Sequence, residues 1–298
     1  MKILLTGANG LLGQHLLHLI LKETDHIVIA VGKGDCRTEF LHNKRLRYYS
    51  LDITDAVAAN RLYLEEQPGL FIHAAAITQV DDCESDKVKC WNTNVTATRF
   101  LIDAARKINA FVVYVSTDFV FDGEKGNYSE SDLTGPVNYY GSSKLAAENA
   151  LLDSGLNAAI VRTCLVYGNL VNGSRTNFIS WVKENLEEGK TIKVVNDQYR
   201  TPTYIEDLAK GILLVTEKKA TGIFHISGEE LLTPYEMAMV TADFLSLNRL
   251  LLEKVDASGF TQTAKRPAKT GFVITKAKNE LGYQPLSFND GLIKMFKI

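Results

Sequence analysis

"KILLTGANGLLGQHLLHLILK", residues 2–22, decides how the rest of the chain is read. The apolar run Ile3 to Leu5 ends at Thr6. Glycines follow at 7, 10 and 13, and an apolar helical pattern then runs to Leu21. That is a strand, a tight turn and a helix. A turn without side chains lets the backbone approach a diphosphate closely, and the helix start adds free N–H groups and a positive dipole end. The spacing is G-x-x-G-x-x-G rather than the commoner G-x-G-x-x-G, so the strand–turn–helix context carries the reading.

The same rhythm continues downstream. "HIVIAVG", "LRYYSLD", "GLFIHAAA", "AFVVYVSTD" and "NAAIVRT" read as strands, separated by helical patterns such as "DAVAANRLYLEEQ". A long helix is expected from about Ser85 to Asn109, with Val88, Trp91, Val95 and Ile102 turned to a sheet. Strands separated by helices imply parallel pairing, and nearly continuous apolar strands imply cover on both faces. The fold class is α/β: a doubly wound parallel sheet of Rossmann type with a smaller C-terminal α+β substrate domain built from interrupted segments. The expected division is 1–166 plus about 203–227 for the dinucleotide, and about 167–202 plus 228–298 for the substrate.

Composition sets limits. The chain has 298 residues, 46% hydrophobic and 23% charged, with a net charge of -2. This gives no reason to expect a nucleic-acid or membrane partner. Cys36, Cys83, Cys90 and Cys164 show no metal-type spacing, so no metal site is assigned and structural thiols are expected. The apolar N-terminus lacks a small-residue cleavage site, and no segment is long and apolar enough to span a bilayer, so a cytoplasmic protein is expected.

Several residues fall where a cofactor cleft would need them. Asp52 follows the third strand and suits an adenine amine; it also suits a helix N-cap, a role open to Thr54 as well. Ala74, Ala75 and Ala76 end the fourth strand in small residues, which fits either a flat-lying cofactor or tight packing. After the second strand, Lys33 and Arg37 suit a 2′-phosphate while Asp35 suits a ribose hydroxyl. The lysine comes first, which favours NADPH over NADH. "STD", residues 116–118, closes the fifth strand. In "YYGSSK", residues 139–144, Tyr140 and Lys144 are one helical turn apart on one face, whereas Tyr139 points elsewhere. Either motif alone occurs often as a plain turn or helix face.

As an ordered set, "GANGLLGQ" (7–14), "HAAAITQVDDCE" (73–84), "STDFVFDG" (116–123), "PVNYYGSSKLAAE" (136–148), "VRTCLVYG" (161–168) and "VNDQYRTPT" (195–203) resemble the extended short-chain dehydrogenases/reductases, in particular the dTDP-4-dehydrorhamnose reductase branch. The resemblance implies a catalytic set of Thr117, Tyr140 and Lys144. It implies cofactor contacts at Gly7, Asn9, Gly10, Leu11, Leu12, Gly13, Lys33, Arg37, Asp52, Ile53, Ala74, Ala75, Ala76, Asn94, Tyr140 and Lys144. Substrate contacts are implied at Val80, Thr117, Asp118, Asn177, Gln198 and Arg266, the last reading equally as a diphosphate ligand or a solvated loop charge. Lys144 is expected to lower the phenol pKa of Tyr140 by favouring the phenolate.

Phe119 stands where related 4,6-dehydratases carry the second residue of an acid pair, which argues against dehydration. Leu165, Arg200, Lys269 and Thr270 depart from the branch pattern on the substrate side. The implied activity is NAD(P)H-dependent reduction of the 4-keto group of a nucleotide-linked 6-deoxyhexose such as dTDP-4-dehydro-L-rhamnose. An NAD-retaining epimerase and a non-catalytic subunit like the regulatory one of methionine adenosyltransferase stand as alternatives. A homodimer is left open.

Overall fold

In the computed structural model, which describes residues 1–172, 177–260 and 262–296, eleven strands alternate with helices. The strands are β1 (Lys2–Thr6), β2 (Ile27–Gly32), β3 (Leu46–Ser50), β4 (Leu70–His73), β5 (Phe111–Thr117), β6 (Ala158–Thr163), β7 (Val166–Tyr167), β8 (Ile192–Val195), β9 (Thr203–Tyr204), β10 (Gly222–His225) and β11 (Leu252–Val255). The helices are α1 (Leu11–Glu23), α2 (Ala56–Glu66), α3 (Val80–Ser85), α4 (Lys87–Trp91), α5 (Ala97–Ile108), α6 (Tyr139–Leu152), α7 (Phe178–Glu187), α8 (Ile205–Lys218), α9 (Pro234–Phe244) and α10 (Phe288–Phe296). Seven strands form one parallel sheet in the order β10-β6-β5-β4-β1-β2-β3.

Alternation along each strand explains why both faces are covered. Ile3, Leu5, Val28, Ala30, Ile72 and Val113 pack with Leu16, Leu17 and Ile20 of α1 and Leu208 and Ile212 of α8. Leu4, Ile29, Phe71, Val112 and Tyr114 pack on the other side with α2, α5 and α6. Burying each such aliphatic side chain contributes about 1.5–3 kcal/mol. The chain leaves the sheet after β6 and returns through α8 to β10, which pairs with β6. The remaining segments have a small core of their own, with Val182 and Leu186 of α7, Val194 of β8, Ala238 of α9 and Leu252 of β11.

Strand order reverses between β1 and β4, so their C-terminal ends open into the crevice where such sheets bind ligands. There the expected long helix differs. Asp86 interrupts it and caps α4 by accepting the Lys89 N–H, and residues Asn92–Thr96 form a π turn. The extra residue per turn shifts the phase of the helix. Val88 is consequently 72% exposed, and Trp91 packs against Tyr139 instead of the sheet, while Val95 and Ile102 are buried as expected.

Candidate active site

The glycine turn is built for close approach. Gly7 has φ +76°, and a Cβ there would lie 2.8 Å from Ala75 N, so this turn and the end of β4 touch. A Cβ on Gly13 would lie 2.1 Å from the Gly7 carbonyl oxygen. Gly10 caps α1 without a side-chain bond, and the first turn holds no acidic residue. The free N–H groups at the start of α1, on a turn wound too tightly for side chains, suit a diphosphate. Leu11 and Leu12 begin that helix, and both side chains pack partly buried against the core.

Asn9 builds the adjoining loop and does not reach outward. Its amide donates to the Lys33 and Asp35 carbonyls, both at 2.9 Å, and to the Tyr48 hydroxyl, while its oxygen accepts the Arg37 N–H. The Lys33 ammonium lies 2.7 Å from Asp52. Burial works to raise the Asp52 pKa, but the Lys33 and Thr54 hydrogen bonds outweigh it and hold the carboxyl below its ordinary range. The N-cap of α2 is neither Asp52 nor Thr54. It is Asp55, which accepts from Val57 and Ala58, and Asp52 instead accepts from the N–H and hydroxyl of Thr54. Ile53 is buried beside them.

After β4 comes the turn holding Ala74, Ala75 and Ala76, all partly buried. Asn94, inside the π turn, clamps the residue that follows them: its oxygen accepts the Ile77 N–H at 2.8 Å and its amide donates to the Ile77 carbonyl and the Ser143 hydroxyl. Being 1% exposed, Asn94 ties the turn after β4 to α6.

Tyr140 and Lys144 stand on the first turns of α6, which Asn138 caps by accepting the Gly141 N–H at 2.8 Å. Thr117 ends β5, and its hydroxyl, which donates to Asp118 at 3.0 Å, lies close enough to the Tyr140 phenol to oppose the rise of its pKa. The two predicted hydroxyls are therefore together. The expected effect of Lys144 on Tyr140 is not what the geometry gives. Burial pushes the Tyr140 phenol well above its ordinary value, with the Thr117 hydrogen bond opposing. Lys144 donates to the Val115 carbonyl at 2.7 Å and sits 4.1 Å from the Tyr114 ring centre. Burial lowers Lys144 from 10.5 to about 7, opposed by the Glu148 carboxylate one turn along.

A depressed lysine has a stability consequence. Between about pH 7 and 10.5 the unfolded chain binds a proton that the folded protein gives up, so this group makes stability rise with pH and its penalty is greatest below 7. Cofactor-free Lys144→Met should therefore gain Tm relative to wild type at pH 7 and lose that gain toward pH 10. Parallel Tm–pH profiles for the two proteins would show that the ammonium is not desolvated.

The substrate side departs most from expectation. Asp118 is 4% exposed and points inward: it accepts from Thr117 at 3.0 Å, from Thr270 and from the Cys164 thiol, and Arg200 Nε lies 3.9 Å away. Burial raises its pKa despite the Arg200 guanidinium. Arg200 is itself buried, donating to the Pro267 and Ala268 carbonyls and, at 3.4 Å, to Gln198. Two branch departures, Arg200 and Thr270, thus meet on one carboxylate. Arg266 is no free anion ligand here, because both its Nη atoms lie 2.6 Å from the carboxylate of Asp81. Asn177 caps α7 through the Ile179 and Ser180 N–H groups and donates to the Gly168 carbonyl. Val80 begins α3 and packs on the Cys83, Cys90 and Tyr140 cluster.

Sequence reasoning passed over Glu148. It is 0% exposed and binds Arg162 of β6 through bonds of 2.6–3.2 Å. Its place four residues after Lys144, on the same helix face, was the available signal.

The geometry agrees with what known proteins show. A dTDP-4-dehydrorhamnose reductase of Aggregatibacter actinomycetemcomitans is 30% identical over 303 residues, covering 98% of this chain and 97% of its own. The methionine adenosyltransferase 2 subunit beta of Rattus norvegicus is 33% identical over 251 residues, 83% of this chain and 72% of its own. Among solved structures, a dTDP-4-dehydrorhamnose reductase from Clostridium acetobutylicum superimposes with TM-score 0.87 at 30% identity, covering 100% of this chain and 99% of that one. The Bacillus anthracis reductase in complex with NADP gives 0.86 at 28%, covering 99% and 98%. The RmlD substrate-binding-domain family matches residues 1–298, and the chain belongs to that family.

Proposed function

We propose that this protein is an NAD(P)H-dependent reductase of the 4-keto group of a nucleotide-linked 6-deoxyhexose, with dTDP-4-dehydro-L-rhamnose as substrate and dTDP-L-rhamnose as product. The observation that supports it most directly is the meeting of Tyr140 and Thr117 at the end of β5, with Lys144 one turn further along α6. The full-length similarity to reductases of this activity supports it independently.

When bound, the reduced nicotinamide supplies the hydride. The cradle Gly7, Gly10 and Gly13 holds the cofactor diphosphate on the backbone N–H groups that open α1. Lys33 and Arg37 border the adenosine end, which favours NADPH, as does the NADP found with the Bacillus anthracis relative. With substrate bound, the Thr117 hydroxyl turns from Asp118 to donate to the substrate carbonyl oxygen, and Tyr140 gives that oxygen its proton, leaving an alcohol. Lys144 orients the nicotinamide ribose. Burial suits Tyr140 to this direction, since the phenol stays protonated at neutral pH.

On this reading residues 1–166 with about 203–227 carry the cofactor, and about 167–202 with 228–298 carry the sugar nucleotide. The protein acts in the cytoplasm. No helix among the described residues is long and apolar enough to cross a membrane. The similarity to the methionine adenosyltransferase subunit favours one other reading, a binding role without turnover. The test is a panel of nucleotide 4-keto-sugars with NADH and NADPH, followed by absorbance. Cofactor consumption only with keto-sugar is expected; no consumption with any member, together with co-purification of a synthetase, would replace the reductase reading.

A further inference from the structure

We propose that Cys83 and Cys90 are a redox-active dithiol behind Tyr140, which a hydroperoxide closes to a disulfide, lowering turnover. The two residues lie seven apart on the consecutive short helices α3 and α4, with their sulfurs sharing a hydrogen bond at 2.6 Å. Together with Tyr140 they form one buried cluster, against which Ile77, Val80, Phe119 and Tyr139 pack. The other two cysteines lie elsewhere: Cys164 beside Asp118, and Cys36 in the loop after β2.

The two thiols are not equivalent. The Cys83 hydrogen bond is the main cause that lowers Cys90 to about 7, helped by Ser143 and the Lys144 ammonium against burial. Cys83 is pushed well up by its partner. The Asn94 amide donates to the Cys90 sulfur at 3.5 Å, whereas the Cys83 thiol donates to the Ile77 carbonyl, so Cys90 is the attacking thiolate and Cys83 the resolving thiol. The Cys90 sulfur attacks one peroxide oxygen, the O–O bond breaks, and the departing hydroxide takes the proton that Cys90 released. The Cys83 sulfur then attacks the resulting Cys90 sulfenic acid, and its proton leaves with the sulfenic oxygen as water. Two thiols and one peroxide give one disulfide and two waters.

Both residues are 0% exposed, but they lie on helices of only six and five residues, and short elements with an exposed outer face, Val88 being 72% exposed, open locally at low cost. A small peroxide needs no more than that. The effect on turnover follows from what α3 holds. Asp81 binds Arg266 and the Ala264 N–H, and Glu84 accepts the Tyr139 N–H at 3.1 Å at the start of α6. A covalent bond between α3 and α4 fixes the segment that joins the first turn of α6 to residues 264–266, and it moves two side chains of the cluster that holds Tyr140. The glycine turn touches none of these groups, so the diphosphate end of the cofactor site is unaffected.

The effect on turnover rests on the reductase reading; bond formation does not. The full-length protein is treated with hydrogen peroxide and digested with trypsin, which cuts at Lys87 and Lys89 and separates the two cysteines. A disulfide-linked pair of peptides, lighter by two hydrogens than the separate thiols, is expected. So is a several-fold fall in keto-sugar turnover that dithiothreitol reverses and that is absent in Cys90→Ser. No linked peptide, or a linked form that turns over as fast as the reduced one, would overturn the proposal. Linkage without turnover in either state would sink the reductase reading and leave the dithiol standing.

Discussion

Tyr140→Phe should lower kcat by about 10²–10⁴-fold, the range that one general acid supplies, and leave the Kd for NADPH close to wild type. The ring stays: it meets Phe119 at 6.0 Å between centres and packs on Cys83 and Cys90, so the substitution removes one oxygen from an intact cluster. What disappears is the hydroxyl proposed to protonate the carbonyl oxygen, which is also the neighbour of Thr117. The control is Tyr139→Phe. That ring lies tilted against Trp91 with the Lys87 ammonium 5.4 Å from its centre, and turnover should stay near wild type. Steady-state kinetics on the keto-sugar and fluorescence titration of NADPH measure both quantities. If Tyr140→Phe turned over at the wild-type rate, the proton would have to come from elsewhere, and Asp118, buried and raised in pKa, would be the next group to test.

The sheet was legible because its signal is local. Apolar runs such as Ile3 to Leu5 and Val112 to Val115, each ending in a small or polar residue, specify buried strands without reference to the rest of the chain. The cradle was legible for the same reason. Helix phase failed where a single inserted residue breaks it: the π turn at Asn92–Thr96 leaves no compositional mark, so Val88 was placed on the wrong face. The internal pairings on the substrate side were not legible because the partners are remote. Arg266 finds Asp81 185 residues away, and Asp118 finds Thr270 152 residues away, so no periodicity within one segment reports either pair. The Tyr140–Lys144 spacing gave the right neighbours and the wrong electrostatics. Sequence spacing fixes distance along a helix but not solvent exclusion, and here burial outweighs charge for both groups.

Gly141→Ala should be nearly as damaging as removing the phenol, although it touches no reacting atom. In an exposed helix alanine is favoured over glycine by about 1 kcal/mol. At this site a Cβ would lie 2.1 Å from the Phe119 carbonyl oxygen and 3.0 Å from both Phe119 C and Pro136 Cβ. The nearest atoms are backbone, so no side chain can swing aside, and the first turn of α6 must move off the turn that follows β5. Tyr140 is carried on that turn and Thr117 on that strand end, so the movement separates the two hydroxyls. A displacement on the order of 1 Å at a catalytic group costs about 10²-fold in rate. The expected result is a fall in kcat of about that size, a lower Tm, and a Kd for NADPH that changes far less, because Gly7, Gly10 and Gly13 lie on the separate turn from β1 into α1. Gly69→Ala is the matched control: its Cβ would meet only the Met1 side chain, at 3.6 Å, and both rate and Tm should hold. Wild-type kcat in Gly141→Ala would mean that contact between α6 and the Phe119 carbonyl does not set the position of Tyr140, and the placement of the acid would have to be ascribed to the Asn138 cap and the Glu84 bond to the Tyr139 N–H.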